Sequence, residues 1–244
     1  METVLIRERY KVVQVLEAGG DYAFAETVDI TDREMPVRLL NIYEGQQAAT
    51  YAAVYTKMEH TAFCEAFLCG ESLVAAFLPC TGLPIDRVFY RGAVWDWQQR
   101  LEYAELLLHQ ALSMANLPPA ISCAAWLSEN VYIDRDNHRV GLRWRIRPMA
   151  GMNARELALL AGDQAQKVLA PRFAQGDAEA AFAARLRRGE FVSIVPLYAA
   201  WRRAAQQMRE EYEALDKKNK FKRWFALLWK QCKRQLWKRR ERRG

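Results

Sequence analysis

The chain has 244 residues, 51% of them hydrophobic and 27% charged, a globular composition that excludes intrinsic disorder and gives ample core for one large domain or two lobes. Its formal net charge of +7 is segregated: residues 217–244 hold thirteen Lys/Arg against one acid, Glu241, which leaves the rest of the chain at −5, so the basic character belongs to the tail. No run approaches the ~20 apolar residues of a membrane-spanning helix, the N-terminus lacks the apolar region of a signal peptide, and five scattered cysteines with three distant histidines form neither a disulfide framework nor a zinc site; a cytosolic chain with reduced thiols is expected.

In chain order, Tyr10 to Leu16, Tyr22 to Asp29 and Met35 to Ile42 carry β-branched and aromatic residues between the turns Glu17–Asp21 and Thr31–Glu34, the pattern of an antiparallel meander. Gln46 to Glu59 is Ala-rich and free of Gly and Pro, and predicts a helix. Thr61 to Leu68 and Ser72 to Leu78 predict a further strand pair about Cys69-Gly70-Glu71. Pro79-Cys80-Thr81-Gly82-Leu83-Pro84 breaks the pattern and marks the boundary between a β-rich lobe (1–78) and a helical one (79–216). Trp97 to Asn116 repeats apolar residues at helical spacing and stops at Pro118-Pro119. Val131 to Ile133 and Val140 to Leu142 flank a polar Asp-Arg-Asp-Asn turn, which predicts a β-hairpin (131–142) embedded in the helical part. Asn153 to Ala170, Asp177 to Arg188 and Pro196 to Asp216 complete the helices.

The stretch from Leu127 to Leu142 resembles the catalytic-loop hairpin of protein kinases, with Asn130 at the metal-binding Asn. Strands, one helix, two strands, a break, then helices around one hairpin is also the element order of that family. The resemblance implies an α+β, bilobal kinase-like fold with a shortened helical lobe. It further implies where a nucleotide, its lysine, its metal ligands and a catalytic base would sit. Carried over position by position, that machinery is degenerate. Gly19 is the one glycine of the phosphate loop retained, and Glu17 and Asp21 beside it would repel a polyphosphate. The lysine position falls on Leu40, with Arg38 two residues earlier as the one substitute cation on that strand face. Counting back from His60 puts Tyr51 at the glutamate that pairs with the lysine. Cys123, Ala124 and Ala125 stand for His-Arg-Asp, and a methyl group at Ala125 cannot accept a proton. Trp144 stands where the metal-binding Asp belongs, and an indole offers magnesium no hard oxygen.

These substitutions predict a pseudokinase with no cofactor, in which Asn130 serves the loop structurally. A residual nucleotide-binding or phosphotransfer enzyme using Arg38, Asn130 and Asp134 is the alternative. Ser128 has no nucleophile elbow and Cys123 sits in an apolar context, so no other catalytic constellation stands out.

The tail is the second informative stretch. On a helical wheel Phe221, Trp224, Phe225, Leu228, Trp229, Cys232 and Leu236 gather on one side, and Lys222, Arg223, Lys230, Lys233 and Arg234 on the other, with Trp237 and Arg239 as exceptions. An amphipathic basic helix of this kind suits an anionic membrane surface. It also suits packing onto the acidic body or a protein partner, or contact with nucleic acid. A kinase-like domain followed by a basic juxtamembrane stretch resembles, in architecture, the cytosolic part of the EssB/YukC component of type VII secretion. The expected role is therefore a protein-binding scaffold at the cytoplasmic face of a membrane.

Overall fold

A four-stranded meander, a helical crossover and one further hairpin build the six-stranded antiparallel sheet at the front of the chain. The computed structural model describes residues 4–90, 92–172, 174–217, 227–230, 232, 233 and 235. Strands β1 (Leu5–Ile6), β2 (Tyr10–Gly19), β3 (Tyr22–Asp29) and β4 (Val37–Tyr43) run as a meander, followed by helix α1 (Gly45–Tyr55) and the hairpin of β5 (Phe63–Cys69) and β6 (Ser72–Phe77). The spatial order is β1-β2-β3-β4-β6-β5, so α1 lets the chain pass over β6 and leaves β5 at the edge. A second sheet joins β7 (Leu83–Pro84), β8 (Val131–Asp134) and β9 (Arg139–Leu142).

The expected strands and helices are present, with ends moved for local reasons. Strand β4 starts at Val37 because Met35 takes a positive φ of 43° ahead of Pro36. Strand β1 escapes the pattern because its turn onto β2 is made by Arg7 and Glu8, both at φ 54° and neither a turn-forming Gly or Asn. The Pro79–Pro84 break is a strand contact: Leu83 pairs with Ile133, and Gly82 sits at φ 100° so close that a Cβ would lie 2.4 Å from the Ile133 carbonyl oxygen. Pro118-Pro119 ends one helix and opens another, since Pro119 is the first residue of α4 (Pro119–Ala125), where its missing N–H costs nothing.

The remaining helices are α2 (Ile85–Val88), α3 (Trp97–Ser113), α5 (Ala154–Val168), α6 (Asp177–Arg187) and α7 (Ile194–Asp216). The chain forms two compact units, Met1–Ile85 with Met114–Leu157, and Asp86–Ser113 with Ala158–Gly244. The β8–β9 hairpin therefore shares a unit with the large sheet. In the helical unit, Glu105 of α3 accepts hydrogen bonds from Tyr198 (2.6 Å) and the Trp201 indole (2.5 Å) of α7. Glu211 of α7 caps the first turn of α6, accepting from the backbone N–H of Asp177 (2.9 Å) and Ala178 (3.1 Å). No helix among the described residues is long and apolar enough to cross a membrane.

Candidate functional site

Alternate residues of a strand face opposite ways, and on β4 this separates a polar site from a packing layer. Leu40 is fully buried with Tyr10, Val74 and Ala76 on one face, flanked by Ile6, Ile42 and Phe67. Asn41, also fully buried, projects from the other face. Its amide nitrogen donates to the backbone oxygen of Trp144 (2.8 Å), and its side-chain oxygen accepts from the backbone N–H of Ile146 (2.7 Å) and from Tyr22 (2.8 Å). Tyr43, two residues on and on the same face, donates to the Ile146 carbonyl (2.7 Å) and shares a hydroxyl contact with Tyr55 (2.7 Å). Leu40, the expected lysine position, points away from the Trp144–Ile146 segment, and the neighbouring Asn41 faces it. Arg38 shares the face of Leu40, so it does not meet Asn130 either.

The neighbouring strand brings in a carboxylate. In β2 two β-bulges interrupt the pairing, with Val13 extra between Val12 and Gln14 and Leu16 extra between Val15 and Glu17. A bulge shifts the alternation of the residues after it, and the second restores what the first inverts. Glu17 lies on the Asn41 face, since it pairs with Phe24 and Phe24 lies directly opposite Asn41. Glu17 then ion-pairs with Arg147 (2.8 Å) and Arg145 (3.3 Å), and Arg145 also meets Glu129 (2.7 Å). Arg143, two residues before, stacks over Phe24 at 5.5 Å. Gly19 closes the β2–β3 turn with Gly20 at φ 57°, and nothing packs against it.

The positions that the resemblance assigns to the base and the metal are filled by packing. Cys123, Ala124 and Ala125 are fully buried in α4 rather than displayed in a loop. Cys123 donates weakly to the Asn153 carbonyl (3.7 Å), and burial pushes its thiol up to about 11, so it is inert at neutral pH. Asn130 is fully buried at the end of a 3₁₀ turn (Ser128–Asn130). Its nitrogen donates to the backbone oxygens of Ala124 (2.8 Å) and Arg145 (2.9 Å), while its side-chain oxygen has no hydrogen-bond partner among the described residues. Trp144 stacks on Phe77 (5.3 Å between centroids) and lies beside His60 (4.5 Å). Tyr51 stacks on Tyr43 at 4.4 Å. Burial raises the Tyr51, Tyr43 and Tyr22 phenols above their ordinary values, so this aromatic group stays neutral.

Magnesium requires hard oxygen donors, and the donor set here does not fit it. Trp144 supplies none, and the nearby carboxylates of Glu17 and Glu129 are committed to arginines. Asp134, the third residue of the alternative set, is a turn anchor. It accepts from Thr81, from the Asn137 backbone (3.0 Å) and side chain (2.8 Å), and pairs with Arg139 (3.4 Å). The Thr81 hydroxyl, first among these, holds its carboxyl well below the usual range. Arg38, Asn130 and Asp134 are not brought together.

Spacing and composition do not reveal Glu17 as a partner of Arg145 and Arg147, or Asn41 and Tyr43 as a clamp. One signal is present in the chain: Arg143-Trp144-Arg145-Ile146-Arg147 alternates charge and bulk, the mark of an extended segment with arginines on one side. Of the tail residues, Phe221, Lys222, Arg223, Trp224, Phe225, Arg234, Leu236 and Trp237 lie outside the described residues. Leu228 is half-buried and Trp229 and Lys233 are exposed. Lys230 ion-pairs with Asp177 (3.0 Å) and with Glu211.

No family model and no curated protein matches the sequence. Solved structures do match in shape. A double-mutant form of the Mycobacterium tuberculosis PknI kinase domain is 16% identical over 86% of this chain and 97% of its own, with a TM-score of 0.53. The unmutated PknI kinase domain is 13% identical over 86% and 98%, with a TM-score of 0.52. The apo GRMZM2G135359 pseudokinase is 12% identical over 80% and 92%, with a TM-score of 0.53. At these identities the likeness is one of fold. The chain has a protein-kinase-like α+β fold.

Proposed function

We propose that this chain is a kinase-like module without phosphotransfer activity that serves as a protein-binding scaffold, held at the cytoplasmic face of a membrane by its basic, aromatic tail. The observation that carries the first half is the Asn41 clamp. In place of a lysine, the strand offers a neutral amide whose hydrogen-bonding groups are spent on the backbone of Trp144 and Ile146. A methyl group stands for the base and an indole for the metal-binding carboxylate, so neither proton abstraction nor metal-assisted charge neutralisation has a residue to perform it. The pseudokinase among the matched folds accords with this. Incubation with γ-labelled ATP and Mg²⁺ or Mn²⁺, alone and with generic protein substrates, is expected to give no label above a blank. Incorporation that persists in a rigorously repurified sample would refute it.

The membrane half is supported by the charge of residues 217–244 and by their alternation of basic and aromatic residues. The pairing of Lys230 with Asp177 and Glu211 favours a second reading, in which the tail lies on its own helical unit and the scaffold's partner meets both. Co-sedimentation with anionic and neutral vesicles, with and without residues 217–244, separates them. Anionic-selective pelleting lost on deletion supports membrane docking, and equal pelleting of both forms rules it out.

A further inference from the structure

Three arginines at alternate positions, Arg143, Arg145 and Arg147, stand two residues apart on a segment pinned through the backbone of Trp144 and Ile146. In an extended chain such side chains share a side. Against them stand two carboxylates, Glu17 and Glu129. Glu17 comes from a different strand and reaches the arginines from the face it shares with Phe24 and Asn41. Its fit is incomplete. Among the described residues the buried Nε of Arg147 lacks a hydrogen-bond partner, and Oε2 of Glu17 has only the 3.3 Å ion pair with Arg145. A carboxylate has two oxygens on one edge, whereas a terminal phosphoryl group offers three around a tetrahedron and suits guanidinium forks that approach from two directions. The three side chains keep contact with solvent, at 21% exposure for Arg145, 44% for Arg147 and 26% for Glu17. An external ion can therefore reach them.

We propose that Arg145 and Arg147 form a binding site for a phosphoryl oxyanion, and that the carboxylate of Glu17 is its resident internal occupant. The site is closed while Glu17 is in place and accepts phosphate when Glu17 is withdrawn or neutralised. It needs no metal, lysine or glycine-rich loop, so it deepens the non-catalytic reading without depending on nucleotide chemistry.

The test is a calorimetric titration of the full chain with inorganic pyrophosphate, in wild type, Glu17→Gln, Glu129→Gln and Glu17→Gln/Arg145→Gln/Arg147→Gln. Malonate serves as the carboxylate comparison and metal-free ATP as a second phosphate source. Glu17→Gln is expected to bind pyrophosphate at least about tenfold more tightly than wild type. The triple variant should lose that gain, and Glu129→Gln should show less than half of it. Malonate should gain less than pyrophosphate, and ATP should follow pyrophosphate. Equal affinity in wild type and Glu17→Gln would overturn the internal-occupant role. An equal gain in Glu129→Gln, or a gain that survives in the triple variant, would reduce the effect to general electrostatics and overturn the site. Thermal melts of each variant show that the fold is retained. Phosphotransfer by wild type would refute the non-catalytic reading and leave this comparison standing.

Discussion

Leu40 and Asn41 are neighbours on one strand, equally buried, and they serve opposite faces of the sheet. Leu40 completes a small apolar layer with Tyr10, Val74 and Ala76, a role set by volume. Asn41 holds a second segment in place through two hydrogen bonds and accepts a third from Tyr22, a role set by the identity of each polar atom. On this strand the leucine is packing, and the residue beside it faces the Trp144–Ile146 segment.

Substitutions can break that contrast. Asn41→Leu keeps the volume and leaves the Trp144 oxygen, the Ile146 N–H and the Tyr22 hydroxyl unpaired, each costing about 1–3 kcal/mol when buried. A loss of roughly 3–5 kcal/mol in denaturant unfolding is expected, and a loss below that of Leu40→Ala would dissolve the contrast. Leu40→Ala removes packing and leaves a cavity, at about 2–4 kcal/mol. Leu40→Met should cost less than about 1.5 kcal/mol. Asn41→Asp sharpens the point further: it is isosteric, yet it replaces the donor facing the Trp144 oxygen with an acceptor, so it should cost more than Leu40→Met.

The smallest effect is a pH dependence at the edge of the same site. His60 lies beside Trp144 and accepts a hydrogen bond from the Ala62 N–H (3.0 Å) through its Nδ1, which requires the neutral ring. Burial lowers its pKa below the ordinary 6.5. The unfolded chain therefore binds a proton at higher pH than the folded one. The associated stability is complete above about 6.5 and declines as pH falls toward the folded-state value. The melting temperature should drop between pH 7.5 and 5, and His60→Gln should narrow that drop. An unchanged drop would place the titration elsewhere.

Much of the fold is legible in the sequence because its signals are local. The meander, the hairpin at Val131–Leu142 and the long helices follow from alternation, 3.6-residue periodicity and turn residues. The departures from the kinase pattern are legible too, since Ala125 and Trp144 are fixed by the sequence wherever the chain places them. The illegible part depends on facing. The pairing that puts Glu17 on one face with Phe24 and Asn41 leaves no mark in the sequence, so Glu17 reads as a carboxylate repelling phosphate rather than one paired with Arg145 and Arg147. The one-residue difference between Leu40 and Asn41 has the same origin. A one-position register change inverts every side chain of a strand, and kinase spacing alone does not settle it. Strand β1 escapes notice because Arg7 and Glu8 adopt a turn conformation that neither residue advertises.

The polar face of β4 is held by the protein's own residues: Asn41 and Tyr43 on the backbone of Trp144 and Ile146, and Glu17 on two arginines. Isothermal titration of the wild-type chain with ATP and Mg²⁺ decides whether that occupancy excludes the nucleotide. No saturable heat and no shift in melting temperature are expected at millimolar nucleotide. One-to-one binding that requires Mg²⁺ and is abolished by Asn130→Ala would show the opposite.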